Sequence, residues 1–118
     1  MRTNRRLDRL NNLFQKEISA IIFRVIPQFE KKELLNITKV EISKDLKYAN
    51  VFLSVHPEKY EKDAIQELKK NLPEIRTLLA KRLKIFKMPK INFKVDEGEK
   101  NLEKIIQIEK MLKNNKNY

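Results

Sequence analysis

Along this chain the spacing of apolar residues switches from helical to alternating and back, and that switching leaves few architectures open. Leu7, Leu10, Phe14, Ile18, Ile21, Ile22 and Val25 recur at three- and four-residue intervals, the signature of one helical face, and Pro27 marks a stop. An amphipathic helix is predicted over about residues 4–25, with Arg5, Arg9 and Lys16 opposite the apolar stripe. Thr38, Val40 and Ile42 then alternate with polar neighbours, Ser43-Lys44-Asp45-Leu46-Lys47 breaks the alternation, and Ala49, Val51, Leu53 and Val55 resume it. Period two on both sides of a short polar break predicts an antiparallel hairpin. Asp45 suits the turn, because its carboxylate can accept a hydrogen bond from a nearby backbone N–H. His56-Pro57 ends the second strand, since proline has no N–H for the ladder, and His56 reads as a strand-end polar residue.

Ala64, Ile65 and Leu68 predict a short helix between Tyr60 and Lys70, and Ile75, Leu79, Leu83 and Phe86 mark the apolar face of another that Pro89 closes. The two meet at a kink, Asn71-Leu72-Pro73. Asn71 and Glu74 have the N-x-x-E spacing of a capping box, and proline is tolerated in a first turn, where its missing N–H would be unpaired anyway. Arg76, Lys84 and Lys87 are predicted to project from another face of this helix, with Lys81 beside them. Ile91, Phe93 and Val95 alternate as a third strand, and Leu102, Ile105, Ile106 and Leu112 predict a C-terminal helix before a flexible tail at 114–118. No repeat, linker or boundary divides residues 1–113. A three-stranded sheet needs cover, so the expectation is one α+β domain with helices over one face.

Charge narrows the function. The formal net charge is +11, and it is concentrated: residues 69–90 hold eight basic side chains and one acidic, and residues 1–34 hold eight and four. A Lys-rich proteome would raise lysine everywhere and explains such clustering poorly. Concentrated positive charge points to a polyanion, with nucleic acid the leading candidate. The chain has no cysteine and one histidine, which excludes a disulfide framework, a thiol nucleophile, a cysteine-based metal site and a multi-histidine one; it also fits a reducing cytoplasm. No P-loop, glycine-rich cradle or nucleophile elbow appears, so no cofactor, small-molecule substrate or enzymatic activity is expected. The N-terminus lacks the apolar core of a signal peptide, and no run is long enough to span a membrane. In that setting Asn36-Ile37-Thr38, which matches a glycosylation acceptor, reads as chance.

The stretch from Val40 to Val51 reads V-E-I-S-K-D-L-K-Y-A-N-V, and it resembles the V-x-x-S-x-D-L-x-x-A-x-V signature of the ribosome-binding factor A family. Ile75-Arg76 with Leu79, then Pro89, Phe93 and Asp96, is similar to that family's I-R-x-x-L and P-x-x-x-F-x-x-D blocks, and Arg6-Leu7 with Ile18 fits its opening helix. The resemblance implies a KH-like fold of α-β-β-α-α-β order and a bacterial factor that binds the small ribosomal subunit during late maturation of its 16S rRNA. Such factors act without catalysis and are associated with growth in the cold. The usual KH clamp is a GXXG loop, which a chain with a single glycine, Gly98, cannot contain. The family's kink is usually Ala-x-Gly, where this chain has Asn71-Leu72-Pro73, and its Asp-Pro-Arg after the first helix is replaced by Ile26-Pro27-Gln28.

Two basic faces are expected to neutralise RNA phosphates: Arg5, Arg6 and Arg9 on the first helix, and Lys69, Lys70, Arg76, Lys81, Lys84 and Lys87 around the kinked pair. Arg76 has two open roles, an rRNA contact or an internal salt bridge fixing its helix against the sheet. Most of Tyr48, Phe52, Phe86 and Phe93 read as core or sheet residues rather than stacking platforms, so shape recognition of folded rRNA by a monomer is expected over base readout. The alternative is a KH-like RNA- or DNA-binding protein not dedicated to the ribosome.

Overall fold

The computed structural model describes residues 5–29, 35–85, 87–96 and 98. Helix α1 spans Arg5–Val25 and runs into a single 3₁₀ turn at Pro27–Phe29. Strands β1 (Leu35–Ile42) and β2 (Tyr48–Val55) pair antiparallel. Helices α2 (Glu61–Lys70) and α3 (Leu72–Leu83) then cross back to β3 (Lys90–Val95), which lies parallel to β2. A parallel neighbour needs such a crossover, and the sheet order is β1-β2-β3. This is the α-β-β-α-α-β order of a KH-like fold. The predicted helix at 102–112, the tail at 114–118 and Phe86 lie outside the described residues.

The core forms where the two periodicities meet. Ala49, Val51, Leu53 and Val55 are buried while the residues between them are not, so one face of the sheet is covered. Phe14, Ile18 and Ile22 of α1, Leu68 of α2 and Ile75 and Leu79 of α3 cover it, all fully buried. Each such side chain contributes about 1.5–3 kcal/mol of apolar transfer.

Two details of β1 depart from simple alternation. The strand begins at Leu35, and its buried residues are Leu35, Ile37, Val40 and Ile42, with Thr38 only half-buried. A β-bulge places Ile37 opposite Leu53 but Lys39 opposite Phe52, so Thr38 is the extra residue and the inward phase shifts by one. Thr38 is therefore not the inward partner of Val40 and Ile42 that the spacing predicts. Its hydroxyl instead donates to Asp96 Oδ2 at 2.7 Å, while Asp96 Oδ1 accepts from the Gly98 N–H at 3.0 Å. The second detail lies along β1's backbone: the Ile42 N–H donates to Asn11 Oδ1 (2.9 Å) and the Ile37 carbonyl accepts from Gln15 Nε2 (3.1 Å). Polar side chains of α1 thus tie that helix to an edge strand whose backbone would otherwise be open to pairing.

The helical pair corrects two further expectations. Asn71 makes no N-cap bond to α3. Its backbone, at φ −96° and ψ 4°, is not the extended conformation that an N-cap requires, and its amide donates back to the Glu67 carbonyl at 2.8 Å. Asn71 therefore caps the end of α2. Pro73 does sit in the first turn of α3, as expected. Helix α3 stops at Leu83 rather than continuing toward Pro89, because Lys84 takes the left-handed conformation (φ 54°) with its N–H on the Ala80 carbonyl. That conformation costs a residue bearing a Cβ roughly 1–2 kcal/mol.

Candidate nucleic-acid interface

The β1–β2 turn is built by the Ser43, Asp45 and Leu46 of the signature. The Ser43 hydroxyl donates to Asp45 Oδ1 at 2.6 Å, the Lys47 N–H donates to the same oxygen at 3.0 Å, and the Tyr48 N–H donates to Ser43 Oγ at 3.0 Å. These bonds, the serine hydroxyl's foremost, hold the Asp45 carboxyl below its ordinary pKa. Leu46 closes the turn with φ 62° and is half-exposed. The result is a rigid corner that presents Lys44, Lys47 and Tyr48 to solvent.

The predicted basic residues lie on all three helices and on the α3–β3 connection. Arg5, Arg6 and Arg9 are exposed on the first turns of α1, as expected. Lys69 and Lys70 are exposed in the last turn of α2, at the kink. Lys81 is exposed on α3 and borders a small hollow against α1, near Arg24 and Arg82. Lys84 and Lys87 are exposed at the opposite end of α3 from the kink, and Lys87 belongs to the connection to β3 rather than to a helix. A helical wheel drawn through residue 87 places it on a surface that does not exist.

Arg76 reaches inward. Its Nη1 donates to the Pro89 carbonyl at 2.7 Å, a bond from α3 to the entry of β3. The predicted internal role is thus met by a backbone acceptor instead of an acidic side chain. Arg82 lies 3.2 Å from Glu17 of α1, an ion pair of charge without hydrogen-bond alignment, since that carboxylate oxygen has no directed partner. It joins the two helices side by side.

What the fold does assemble is one strongly basic end. A groove of about 880 Å³ is bordered by α1 through Leu10 and Phe14, by the β1–β2 turn, and by the α3–β3 connection. Lys47, Arg76, Lys84, Lys87 and Lys90 line it, with Asp45 the acid among them. Leu10 is one helical turn from Arg6, so that arginine stands near the α1 edge of the groove, with Arg5 and Arg9 exposed around the same turns of the helix. Lys47 and Lys90 were not among the predicted contacts. Lys90 lies inside the basic 69–90 segment, which was the available signal; Lys47 is joined to it only by the fold. On the open face of the sheet, Lys39 and Lys94 flank Phe52 in register, but Lys39 Nζ sits 4.6 Å from the ring centroid and pairs with Glu41 at 3.4 Å. Among the described residues no cluster of three potential metal ligands occurs, and no helix is long and apolar enough to cross a membrane.

Comparison with known proteins agrees with this architecture. The family model described as ribosome-binding factor A matches residues 6–111. Proteins named ribosome-binding factor A are similar to the chain: that of Halothermothrix orenii is 37% identical over 109 residues, covering 92% of this chain and 88% of the relative. That of Dictyoglomus thermophilum is 37% identical over 103 residues, covering 86% of each. The crystal structure of ribosome-binding factor A from Thermus thermophilus superposes with a TM-score of 0.59 at 21% identity, over 74% of this chain and 92% of that one. The solution NMR structure of a Thermotoga maritima protein does so at 0.55 and 27%, over 70% and 83%.

Proposed function

Since the chain belongs to the ribosome-binding factor A family, we propose that it binds the small (30S) ribosomal subunit and assists late maturation of its 16S rRNA, as a monomer in the bacterial cytoplasm and without catalysis. The observation that carries this reading is the basic groove at which α1, the β1–β2 turn and the α3–β3 connection meet, lined by Lys47, Arg76, Lys84, Lys87 and Lys90, with Arg5, Arg6 and Arg9 exposed on the turns of α1 that lead to it. Cations on three rigid elements match phosphates on a folded RNA surface better than those of one extended strand, so affinity comes from counterion release and selectivity from shape. Lys69 and Lys70 at the kink supply a second, smaller contact. Arg76 serves chiefly to hold the α3–β3 connection, and Lys81 lies away from the groove. The help such a factor gives is greatest in the cold, when misfolded rRNA escapes slowly.

The test is co-sedimentation with immature and mature small subunits over a salt titration, with large subunits and generic duplex RNA as competitors. Selective retention on small subunits near physiological salt is expected. Indiscriminate binding that vanishes as salt rises would overturn the assignment and leave a general KH-like nucleic-acid-binding protein.

A further inference from the structure

Phosphate docking accounts for the rim of the groove but not for its interior. Below the lysines the floor is apolar, half-buried Leu10, Ile85 and Met88 with the buried Phe14 and Ile42, and the wall at the β1–β2 turn is Leu46 and Tyr48, each 50% exposed. This apolar lining, with two half-exposed large side chains, gives the cationic rim a surface on which a flat apolar group can rest. The two described non-glycine residues in the left-handed region, Leu46 (φ 62°) and Lys84 (φ 54°), both border this groove. Strain of this kind persists where the arrangement is used.

We propose that the groove receives one unstacked nucleotide of RNA, its base between Tyr48 and the apolar floor and its flanking phosphates on Lys47, Lys84, Lys87 and Lys90. The volume lies within the roughly 300–1,000 Å³ of sites that enclose a small-molecule-sized group. Charge complementarity selects the occupant: four ammonium groups surround an apolar slot whose acid, Asp45, is already engaged by Ser43 and Lys47. A base needs only a π face and a dry floor, and every base has one. The site is at the opposite end of α3 from the Asn71-Leu72-Pro73 kink. Phe52, on the open face of the sheet, has a lysine over its ring, which leaves Tyr48 the better platform.

This inference rests on RNA docking by the basic end, so the test separates the two. Binding of the full chain to hexa-adenylate and to a fully abasic oligomer of equal length and charge is measured by anisotropy at fixed salt. The wild type is expected to prefer hexa-adenylate about tenfold. Tyr48→Ala should abolish the preference and Tyr48→Phe keep it, with melting curves confirming that both fold. Methyl resonances of Leu46 and Met88 should shift with hexa-adenylate and not with the abasic oligomer. Equal affinity for the two oligomers, or shifts that avoid these methyls, overturns the proposal and leaves the groove to a protein segment. Small-subunit co-sedimentation run in parallel distinguishes the failures. Retention without base preference rejects the groove alone, and base preference without retention rejects the docking partner alone.

Discussion

Arg76, Lys84 and Asp45 each couple a local geometry to a measurable energy. Arg76 donates to the Pro89 carbonyl from a half-buried position, and a hydrogen bond from a charged group is worth about 1.5–3 kcal/mol when its partner is left unsatisfied. Arg76→Ala should therefore lower the unfolding free energy in urea by about that amount, with little change in the salt dependence of RNA binding. Lys84 has the opposite balance. Glycine tolerates its left-handed backbone, so Lys84→Gly should raise stability by about 1 kcal/mol in the same assay while weakening RNA binding. For Asp45 the turn's hydrogen bonds favour the charged form, so the folded pKa lies below the unfolded one. Its contribution is present above the ordinary carboxylate pKa and is lost as pH falls through the lower, folded value. Asp45→Asn keeps an acceptor oxygen but no charge. Melting curves should place the wild type above this variant at neutral pH and bring the two together in acid.

At the scale of elements, the kink offers the sharpest test, because asparagine and aspartate are equivalent as N-caps but not in the bond observed here. Aspartate cannot donate to the Glu67 carbonyl, and its charge, unfavourable at the end of α2, is offset by the start of α3, so the lost bond decides the outcome. Asn71→Asp should destabilise by about 1 kcal/mol; an unchanged melting temperature would restore the capping-box reading. The same scale shows what was legible in the sequence. The face of α1, the β2 alternation and the Asp45 turn could be read directly, since each rests on a local pattern that tertiary packing then reinforces. The start of β1 could not, because the bulge at Thr38 breaks the period on which strands are recognised. The end of α3 was hidden for a related reason: a lysine occupies a left-handed position that normally announces itself as glycine. With the helix drawn too long, Lys81 was grouped with Arg76, Lys84 and Lys87, whereas the groove that holds those three is completed by Lys47 and Lys90, from segments that periodicity alone cannot join.

Over the whole molecule, the uneven charge of the sequence becomes a polarity of the fold. The helices bury one face of the sheet, β1 is tied to α1 by Asn11 and Gln15, and Arg82 with Glu17 sets α1 beside α3. That packing sets the lysines of the turn and of the α3–β3 connection around a groove beside α1, apart from the buried core. Such a division lets binding and folding be altered separately. The most direct test is the slope of log affinity for small ribosomal subunits against log salt, measured for the wild type and for Lys84→Gln/Lys87→Gln. Loss of two phosphate contacts should flatten that slope by roughly 1.5 and weaken binding at every salt concentration, with an unchanged or slightly raised melting temperature. An unaltered slope and affinity would contradict docking through the basic end and would move the interface elsewhere on the molecule.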